Sequence, residues 1–474
     1  MHGDLLKAVS HALTLVKGSY ALAILSELDP GKIIVARNGS PLIIGIGEKE
    51  YFIASDIPAL LKYTAKIIKL DNDEMAEISR QQIKVFNNKG KLINKKTELI
   101  SWDPESAEKG GYAHFMLKEI HEQPTALADT LAERIGQDGE VVLDGLGLTP
   151  ESIRAIKQIV IVACGTSYHA GLVGKYVLER WARVPVEVEV ASEFRYREPV
   201  IGPDCLCIAI SQSGETADTL AAMRLARQAG AQVLALTNIV GSQATREADG
   251  VLFTRAGLEI GVAATKTFLT QVLAVLLLAL HFAENRGHLT REQVRSYTEE
   301  LRHIPRLLGD YLGAGAAERV DQVARDYASS RFFMCLGRNL GLPVALEGAL
   351  KLKEISYIPT DAYAAGEMKH GPIALLEEGS PVLVVATDGF VYEKLISNVQ
   401  EVKARGARVI AVASEGNEGL KEMVDEVFYV PRTDEMLAPL LAVVPLQLFA
   451  YYVAKNNGEK VDQPRNLAKT VTVE

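Results

Sequence analysis

The sequence predicts an α/β protein with two tandem, doubly wound parallel-sheet domains that follow a smaller β-rich segment. From about residue 150 onward, continuous apolar stretches alternate with amphipathic stretches, a pattern typical of parallel strands covered by helices on both faces. The order strand, helix, strand, helix, strand recurs after about 170 residues, which indicates a duplication. A chain of 474 residues also has the length of about three domains at roughly 150 residues each.

The first 100 residues have the composition of short antiparallel strands with little helix. The predicted strands are 20–25, 33–36, 42–46, 51–54 and 82–86. Asn38-Gly39 has the composition of a turn between two of them. Residues 101–111 (SWDPESAEKGG) are polar and contain proline and glycine, which predicts a linker there. A helix is predicted over 114–135, with an interruption at Gln123-Pro124.

Two αβ repeats follow this segment. In the first, the predicted strands are 158–163, 186–190, 205–210 and 233–237, and the predicted helices are 169–181 and 216–229. In the second, the predicted strands are 332–336, 382–386 and 409–413, and the predicted helices are 344–355 and 392–405. The apolar run 272–280 is shorter than the ~18 to 20 residues that span a bilayer and therefore predicts a buried helix.

Composition excludes several classes of partner and site. The formal charge of −9 is spread without long runs of one sign, so neither nucleic acid nor an anionic membrane is an expected partner. Four cysteines in 474 residues cannot form a disulfide framework, and none lies in a zinc-binding pattern, so no metal and no cofactor are predicted. The start of the sequence lacks the pattern of a signal peptide, which predicts a cytoplasmic protein.

Two turns rich in hydroxyl groups are candidate phosphate sites. CGTS at 164–167 and SQSGET at 211–216 each follow a predicted strand and precede a predicted helix. Such turns present backbone N–H groups and hydroxyl donors at the positive end of a helix dipole. Each turn alone could be an ordinary helix cap, but together they favour an anion. Because no GxxxxGK[ST] or GxGxxG motif follows a strand, a small phosphate ester is favoured over a nucleotide.

Charged residues on one predicted helix form a candidate catalytic group. Glu347, Lys351 and Glu354 are spaced i, i+4 and i+7 and therefore share a face. A solvated charged face is the alternative interpretation. The apolar neighbours instead indicate a mostly buried helix, in which a carboxylate beside a lysine could move protons on a sugar.

Two further candidates lie outside regular structure. The segment 364–372 is glycine-bounded and polar, which predicts a loop, and it contains His370. Lys469 lies in the polar tail, where a surface lysine is the ordinary interpretation. It could form a Schiff base if the tail entered a site that excludes water.

Six motifs together resemble the glutamine:fructose-6-phosphate amidotransferase (glucosamine-6-phosphate synthase) family. They are ACGTSYHA at 163–170, ASEFRYR at 191–197, SQSGETADT at 211–219, LEGALKLKEISYI at 346–358, AYAAGEMKHGP at 362–372 and DQPRNLAKTVTVE at 462–474. The resemblance covers the chain from end to end but not the whole length of the family's members.

The resemblance implies a domain organisation. Its sugar-isomerase (SIS) domains correspond to 150–290 and 291–455, with 101–149 as linker and helical connection and 456–474 as an active-site tail. Residues 1–100 resemble only the last part of the family's α+β N-terminal-nucleophile glutaminase domain, notably RNGSPLIIGIGEKEYFIASD at 37–56. That domain begins with a catalytic cysteine, whereas no cysteine here precedes Cys164. Glutamine hydrolysis is therefore not expected, and glutamine would serve only if another chain supplied a glutaminase.

The resemblance also implies roles for individual residues. Those expected to bind fructose 6-phosphate are Cys164, Gly165, Thr166, Ser167, Ser211, Gln212, Ser213, Thr216, Val262, Ala264 and Ala468. Lys469 would form the Schiff base at C2, and Glu354, with Lys351 beside it, would move a proton between C1 and C2. His370 would assist ring opening in the neighbouring subunit of a homodimer, where Glu347 would orient it. Alanine stands at 264, where serine is common in the family.

The expected reaction is the conversion of fructose 6-phosphate and ammonia to glucosamine 6-phosphate. Three alternatives remain open from the sequence: a phosphosugar isomerase, a non-catalytic phosphosugar-binding module, and a fragment of a longer synthase. The second alternative needs the phosphate turns but not Lys469, Glu354 or His370.

Overall fold

The computed structural model describes residues 4–57, 59–100 and 108–472. The described residues up to 110, with 215–217 and 470–472, form one compact unit, and residues 111–214 with 218–469 form a second. The helices are α1 (Leu5–Leu13), α2 (Phe115–His121), α3 (Gln123–Leu131), α4 (Pro150–Ala155), α5 (Gly165–Val177), α6 (Ala191–Phe194), α7 (Ala217–Gln228), α8 (Gln243–Glu247), α9 (Lys266–Asn285), α10 (Arg291–Tyr311), α11 (Ala317–Tyr327), α12 (Gly341–Ser356), α13 (Tyr392–Lys403), α14 (Glu418–Lys421) and α15 (Pro439–Asn456).

The strands of the first unit are β1 (Tyr20–Ile24), β2 (Lys32–Asn38), β3 (Ile43–Ile46), β4 (Tyr51–Ala54), β5 (Lys66–Lys69), β6 (Glu74–Ser79), β7 (Ile83–Phe86), β8 (Leu92–Ile93) and β9 (Glu98–Leu99). Those of the second are β10 (Gln158–Ala163), β11 (Val186–Val190), β12 (Cys205–Ile210), β13 (Gln232–Thr237), β14 (Gly250–Phe253), β15 (Phe333–Gly337), β16 (Thr360–Ala364), β17 (Pro381–Ala386), β18 (Arg408–Ser414) and β19 (Glu426–Val430).

The first unit is a layered arrangement of one helix and two antiparallel sheets. The sheets have the orders β1-β2-β6-β7-β8 and β4-β3-β5-β9. Val35 of β2 packs in the core between them with Ile44 and Ile68, whereas Ile34 packs with Val9 of α1. Because successive residues of a strand point to opposite faces, β2 is apolar on both sides and is buried in the middle layer.

The predicted strands of this unit are confirmed, with ends that differ by at most two residues. Four further strands, β5, β6, β8 and β9, were not predicted. β5 (KIIK) and β6 (EMAEIS) mix charged and apolar residues over only four and six positions. A pattern so short does not separate strand from loop without knowledge of the pairing partner.

The second unit contains two parallel five-stranded sheets of the same topology. Their orders are β11-β10-β12-β13-β14 and β16-β15-β17-β18-β19, and every strand pair in both is parallel. The first strand of each repeat therefore lies between the second and the third. This strand order is that of doubly wound α/β folds, whose ligands bind where the connections diverge. The α/β fold class and the repeat are confirmed.

Two local predictions for this unit need correction. The segment 364–372, predicted as a loop, is not irregular throughout, because Ala364 is the last residue of β16 and Glu367–His370 form a 3₁₀ turn. The helix predicted from 169 begins four residues earlier, at Gly165. The CGTS turn is therefore itself the first turn of α5, which a π-helical turn at Leu178–Ala182 extends.

Two long apolar helices lie in the core shared by both repeats, α9 and α15. α9 is the one helix of the described residues that is long and apolar enough to cross a membrane, but 89% of its most apolar window is buried inside the protein. It is therefore a core helix, as the apolar run at 272–280 predicted.

Candidate active site

The two predicted phosphate turns lie side by side at one edge of the first parallel sheet. β10 and β12 are adjacent and in register, with Ala163 opposite Ile210 at their carboxyl ends. CGTS follows the first of these residues and SQSGET the second. Since β10 connects to β11 on one side and β12 lies on the other, the turns occupy the position where the connections of the sheet diverge.

The first turn presents hydroxyl groups at the start of a thirteen-residue helix. Gly165 adopts a φ of +53°, a left-handed conformation that favours glycine. Thr166 and Ser167 follow in the first turn of α5, whose N–H groups have no partners within the helix. Ser167 Oγ accepts a hydrogen bond from Gln271 Nε2 of α9 at 2.9 Å, which fixes its orientation. Burial raises the pKa of the preceding Cys164 thiol, so this cysteine stays neutral.

The second turn has a single compact conformation. The N–H of Gly214 donates to Ser211 Oγ at 3.1 Å, and the carbonyl of Gln212 accepts from the N–H of Asn238 at 3.1 Å. Gly214 has a φ of +63°, and a Cβ there would lie 2.2 Å from Ser242 Oγ. Only glycine therefore permits this turn, which carries Ser213 and Thr216 into the connection before α7.

The charged residues of α12 form a buried ion triplet. Glu347 and Lys351 have fully buried side chains, and Lys351 Nζ lies 3.3 Å from Glu347 Oε1 and 2.7 Å from Glu354 Oε2. Lys351 Nζ also donates to Thr166 Oγ1 at 3.1 Å. The alternative of a solvated charged face is excluded, and the triplet lies directly against the first phosphate turn.

Two members of the triplet stabilise each other's charged forms. Burial alone would raise the pKa of Glu347, but the charge of Lys351 and a hydrogen bond with His169 outweigh it and lower that pKa. Burial alone would lower the pKa of Lys351, but the two carboxylates raise it well above its ordinary value. Glu347 and Lys351 are therefore a buried pair of opposite charges on one helix.

His169 is a member of this group that sequence reasoning did not identify. Its Nδ1 lies 2.8 Å from Glu347 Oε2, and Thr166 Oγ1 donates to Glu347 Oε1 at 3.0 Å. The available signal was its position three residues after Thr166, which puts both on one face of α5. His370 is exposed in a short 3₁₀ turn, and the pairing of Glu347 with a neighbouring subunit's copy of it stays a prediction.

The tail lysine is not a free surface group. Lys469 Nζ lies 2.5 Å from Glu259 Oε2 and donates to the carbonyl of Gly261 at 2.7 Å. Glu259 is fully buried. Its carboxylate accepts from the N–H groups of Thr265 at 2.9 Å and Thr267 at 3.1 Å.

The tail before Lys469 is anchored at two points. The carboxylate of Asp462 accepts from the N–H groups of Phe115 and Met116, both at 3.0 Å, and its carbonyl accepts from the N–H of Val262 at 3.1 Å. Further along, the N–H of Arg465 donates to the hydroxyl of Tyr357 at 2.8 Å. These contacts explain how a polar segment that cannot fold alone holds its lysine in place.

The remaining predicted sugar-contacting residues adjoin this anchor. Val262 and Ala264 are half-buried in the segment that leads into α9, whereas Ala468 is exposed beside Lys469.

A second buried carboxylate, Glu119 of α2, adjoins the tail lysine and was also not predicted. Its Oε1 accepts from the N–H groups of Ile260 at 2.5 Å and Gly261 at 3.1 Å. Burial and the charge of Glu259 raise the pKa of Glu119 to about 7. Nothing in the sequence marks this residue, because it is 140 positions away from the segment that it holds.

α9 connects the two groups of polar residues. Thr265 and Thr267, at its start, hold the Glu259 carboxylate that faces Lys469, and Gln271, one turn further, holds Ser167 of the phosphate turn. The described residues thus provide an edge rich in hydroxyl and N–H donors, a buried ion triplet and a held amine.

Comparison with known proteins shows the family of the two repeats. The SIS domain family matches residues 152–281 and 328–456. The chain is 50% identical to the glutamine–fructose-6-phosphate aminotransferase (isomerizing) of Clostridium tetani over all of this chain and 77% of that protein. It is 51% identical to the enzyme of that name from Methanosarcina acetivorans over 99% of this chain and 76% of that protein.

A solved structure is similar to the second unit's fold. The C-terminal domain of the glucosamine-fructose-6-phosphate aminotransferase from Francisella tularensis matches with a TM-score of 0.71 and 41% identity. It covers 75% of this chain and 100% of that domain. This chain, with its two SIS repeats, therefore belongs to the glutamine–fructose-6-phosphate aminotransferase family.

Proposed function

We propose that this chain converts fructose 6-phosphate and ammonia to glucosamine 6-phosphate. The observation that carries the proposal is the direct hydrogen bond between the phosphate turn and the acid–base triplet, from Lys351 Nζ to Thr166 Oγ1 at 3.1 Å. A sugar phosphate held at the turn would bring its carbon chain to these groups. The names of the relatives agree with this substrate.

The substrate phosphate binds at the two turns. The N–H groups at the start of α5 and the hydroxyls of Thr166, Ser167, Ser211, Ser213 and Thr216 supply donors in this role. Cys164, Gly165 and Gln212 contribute through the backbone of the same turns, and Val262, Ala264 and Ala468 contact the sugar.

The chemistry requires an amine and a base. Lys469 Nζ attacks C2 of the open-chain ketose, and water leaves as a Schiff base forms. Ammonia then replaces the lysine at C2. Glu354 removes a proton from C1 and a proton is added at C2, so that the C2 imine becomes an amine and C1 becomes an aldehyde. The contact of Lys351 Nζ with Glu354 Oε2 at 2.7 Å holds Glu354 in position for this transfer.

Free ammonia is the nitrogen source that we propose for the chain of 474 residues. No cysteine precedes Cys164, and the other three are buried in strands. Burial raises the pKa of the Cys205 thiol to about 11 and that of Cys335 to about 12, so neither is a thiolate nucleophile at neutral pH.

The enzyme acts as a homodimer with shared sites in this proposal. His370 is exposed in a turn, where it could reach a neighbouring copy and assist ring opening there, oriented by that copy's Glu347. The cytoplasm is the proposed location, because it supplies sugar phosphates and keeps four cysteines reduced.

Product analysis tests the proposal. With fructose 6-phosphate and ammonium, we expect glucosamine 6-phosphate, and with glutamine in place of ammonium, essentially none. Without any nitrogen source, slow formation of glucose 6-phosphate would reflect the same proton transfer. Glu354→Gln should abolish both products, whereas Glu367→Gln, an exposed glutamate outside α12, should leave the rates unchanged. Full activity with glutamine alone would contradict the ammonia proposal, and binding without turnover would identify a sensor.

A further inference from the structure

We propose that Glu259 is the acid–base partner of Lys469, taking the proton that the amine must lose and delivering protons to the oxygen that leaves C2. The inference rests on the proposed Schiff-base role of Lys469 and deepens it. It adds a residue from the segment before α9 to the reacting group.

The contact geometry singles out this carboxylate. Glu259 Oε2 lies 2.5 Å from Lys469 Nζ, and Glu259 has no exposed side-chain surface. Oε1 accepts the N–H groups of Thr265 and Thr267, and Oε2 accepts the Thr267 hydroxyl at 2.8 Å. The carboxylate therefore cannot rotate away, and Oε2 remains directed at the amine.

A lysine in this contact cannot act without a proton acceptor. An ammonium group has no lone pair, so Lys469 must pass a proton to an acceptor before its nitrogen can attack C2. Among the described residues, Glu259 is the only ionisable side chain with a hydrogen bond to Lys469. Glu354, the other proposed base, is paired with Lys351. The group that holds the ammonium is thus also the group placed to take its proton.

Glu259 alone can carry out every proton transfer in the formation of the Schiff base. Glu259 takes one proton from the ammonium, and the neutral amine forms the N–C2 bond as the C2=O π electrons move to oxygen. Glu259 returns that proton to the oxygen, then takes a second proton from nitrogen and delivers it to the hydroxyl. Water leaves, the nitrogen lone pair forms the C=N bond, and Glu259 ends as the carboxylate counterion of the iminium. No other reactant is needed.

Burial alone would raise the pKa of Glu259, but the charge of Lys469 and its hydrogen bond outweigh burial and lower that pKa to about 2, so Glu259 is an ionised carboxylate at neutral pH. Glu119 adjoins the same backbone segment, and burial and the charge of Glu259 raise the pKa of its carboxyl to about 7. Lys266 is paired with Glu122 at 2.7 Å, and Lys118 lies 3.5 Å from Glu122. Below pH 7 Glu119 is largely neutral, which leaves Glu259 as the ionised carboxylate in contact with Lys469.

Borohydride trapping measures the step directly. Wild-type protein is mixed with saturating fructose 6-phosphate without ammonia, quenched with borohydride at short times, and the adduct on the peptide containing Lys469 is quantified. Glu259→Gln preserves size and can still accept both backbone N–H groups. We expect its trapping rate to fall about 100-fold at pH 7, within the range of general acid–base catalysis. Its remaining rate should rise with pH, because hydroxide then replaces the carboxylate.

The matched control is Glu122→Gln, which removes a nearby carboxylate that is paired with Lys266 and not with Lys469. Its trapping rate should stay within about twofold of wild type. If Glu259 only held the ammonium in place, Glu259→Gln would free the amine and trapping would be as fast as in wild type or faster, which would overturn the inference.

Two results separate this inference from the proposed function. If wild-type protein carries no adduct on Lys469, the Schiff-base role itself fails. If Glu259→Gln does not fold, Glu259→Asp retains a carboxylate at a longer distance and should trap more slowly than wild type. An unchanged rate in that folded variant would contradict the acid–base role.

Discussion

Lys351 carries a positive charge into the fully buried face of α12, where its stability depends on two carboxylates of the same helix. Glu347 and Glu354 flank it at 3.3 and 2.7 Å, and the Thr166 hydroxyl accepts one of its protons. Such a group contributes little net stability while complete, but leaves uncompensated buried charge when one member is removed.

Lys351→Met should therefore destabilise the protein although methionine has nearly the same volume. We expect a loss of about 3–5 kcal/mol in the free energy of unfolding, measured by denaturant titration. Lys353→Met is the matched control, because Lys353 lies on the exposed side of the same helix. Equal stability of the two variants would show that Glu347 and Glu354 become protonated at little cost.

Glu119→Gln tests the raised pKa of the second buried carboxylate. Folding raises this pKa from 4.5 to about 7, so the native state binds a proton that the unfolded chain releases in that window. The contribution of Glu119 to stability is present below pH 4.5 and is lost as the pH rises to about 7. The glutamine variant does not lose this stability, because its amide does not ionise.

The stability of Glu119→Gln relative to wild type should therefore increase by about 1 kcal/mol per pH unit between pH 5 and 7 and then level off. Chemical unfolding of both proteins across pH 5–8 measures the difference. A constant difference over that range would show that the carboxyl ionises as it does in water.

At the residue scale, the sequence predicted the groups whose neighbours in the chain reveal their burial. Glu347, Lys351 and Glu354 stand among apolar residues of one helix, and both phosphate turns directly follow apolar strands. For Lys469 the residues alone left a surface lysine as the ordinary interpretation, and only the resemblance favoured the Schiff-base role. Glu119, Glu259 and His169 act through contacts between distant segments, which no local pattern encodes.

At the scale of elements, close approaches of the backbone decide where α12 begins. A Cβ on Gly337, the last residue of β15, would lie 2.1 Å from the carbonyl oxygen of Gly341 and 2.6 Å from the N–H nitrogen of Leu342. Only a residue without a side chain lets α12 start so close to the sheet. The position of the ion triplet on α12 thus depends on Gly337 in the preceding strand, β15.

Gly337→Ala should push the start of α12 away from β15. We expect destabilisation of about 1–3 kcal/mol, as for other overpacked interiors, and a lower rate of product formation. Gly419→Ala in α14 is the control, since nothing lies within 4 Å of its added methyl group. A Gly337→Ala protein as stable and active as that control would contradict the close approach.

The elements that the sequence predicted well are those with long apolar runs. β10, β11 and β12 have the predicted ends, and the predicted strands of the second repeat, β15, β17 and β18, differ by at most one residue at each end, whereas β16 and β19 were not predicted. The start of α5 was predicted too late, because hydroxyl residues that cap helices also serve within the first turn. The short strands β5 and β8 were missed, because they are too short to show an apolar pattern and are defined by pairing with neighbouring strands.

At the scale of the whole molecule, sharing of His370 between subunits can be tested by complementation. A chain with Lys469→Arg and a chain with His370→Ala should each be inactive as homodimers. If His370 acts in the partner's site, each mixed dimer has one site with neither change. Random mixing by co-expression should then restore about a quarter of wild-type activity with ammonium.

Activity of the mixture equal to that of the separate variants would show that each subunit uses its own histidine. Purification in sequence on two different tags, one on each chain, isolates the mixed dimer. The same comparison can then be made without the homodimers that form on random mixing.

The buried contact of Glu347 with Thr166 and His169 joins the second repeat to the first, since α12 belongs to one sheet's repeat and α5 to the other's. Each repeat contains a complete sheet, but neither contains a complete site. A chain cut in the connection between α10 and α11 would give two halves that form no product when they are separate. Product formation would then report their reassociation, which makes this enzyme a natural framework for a split reporter.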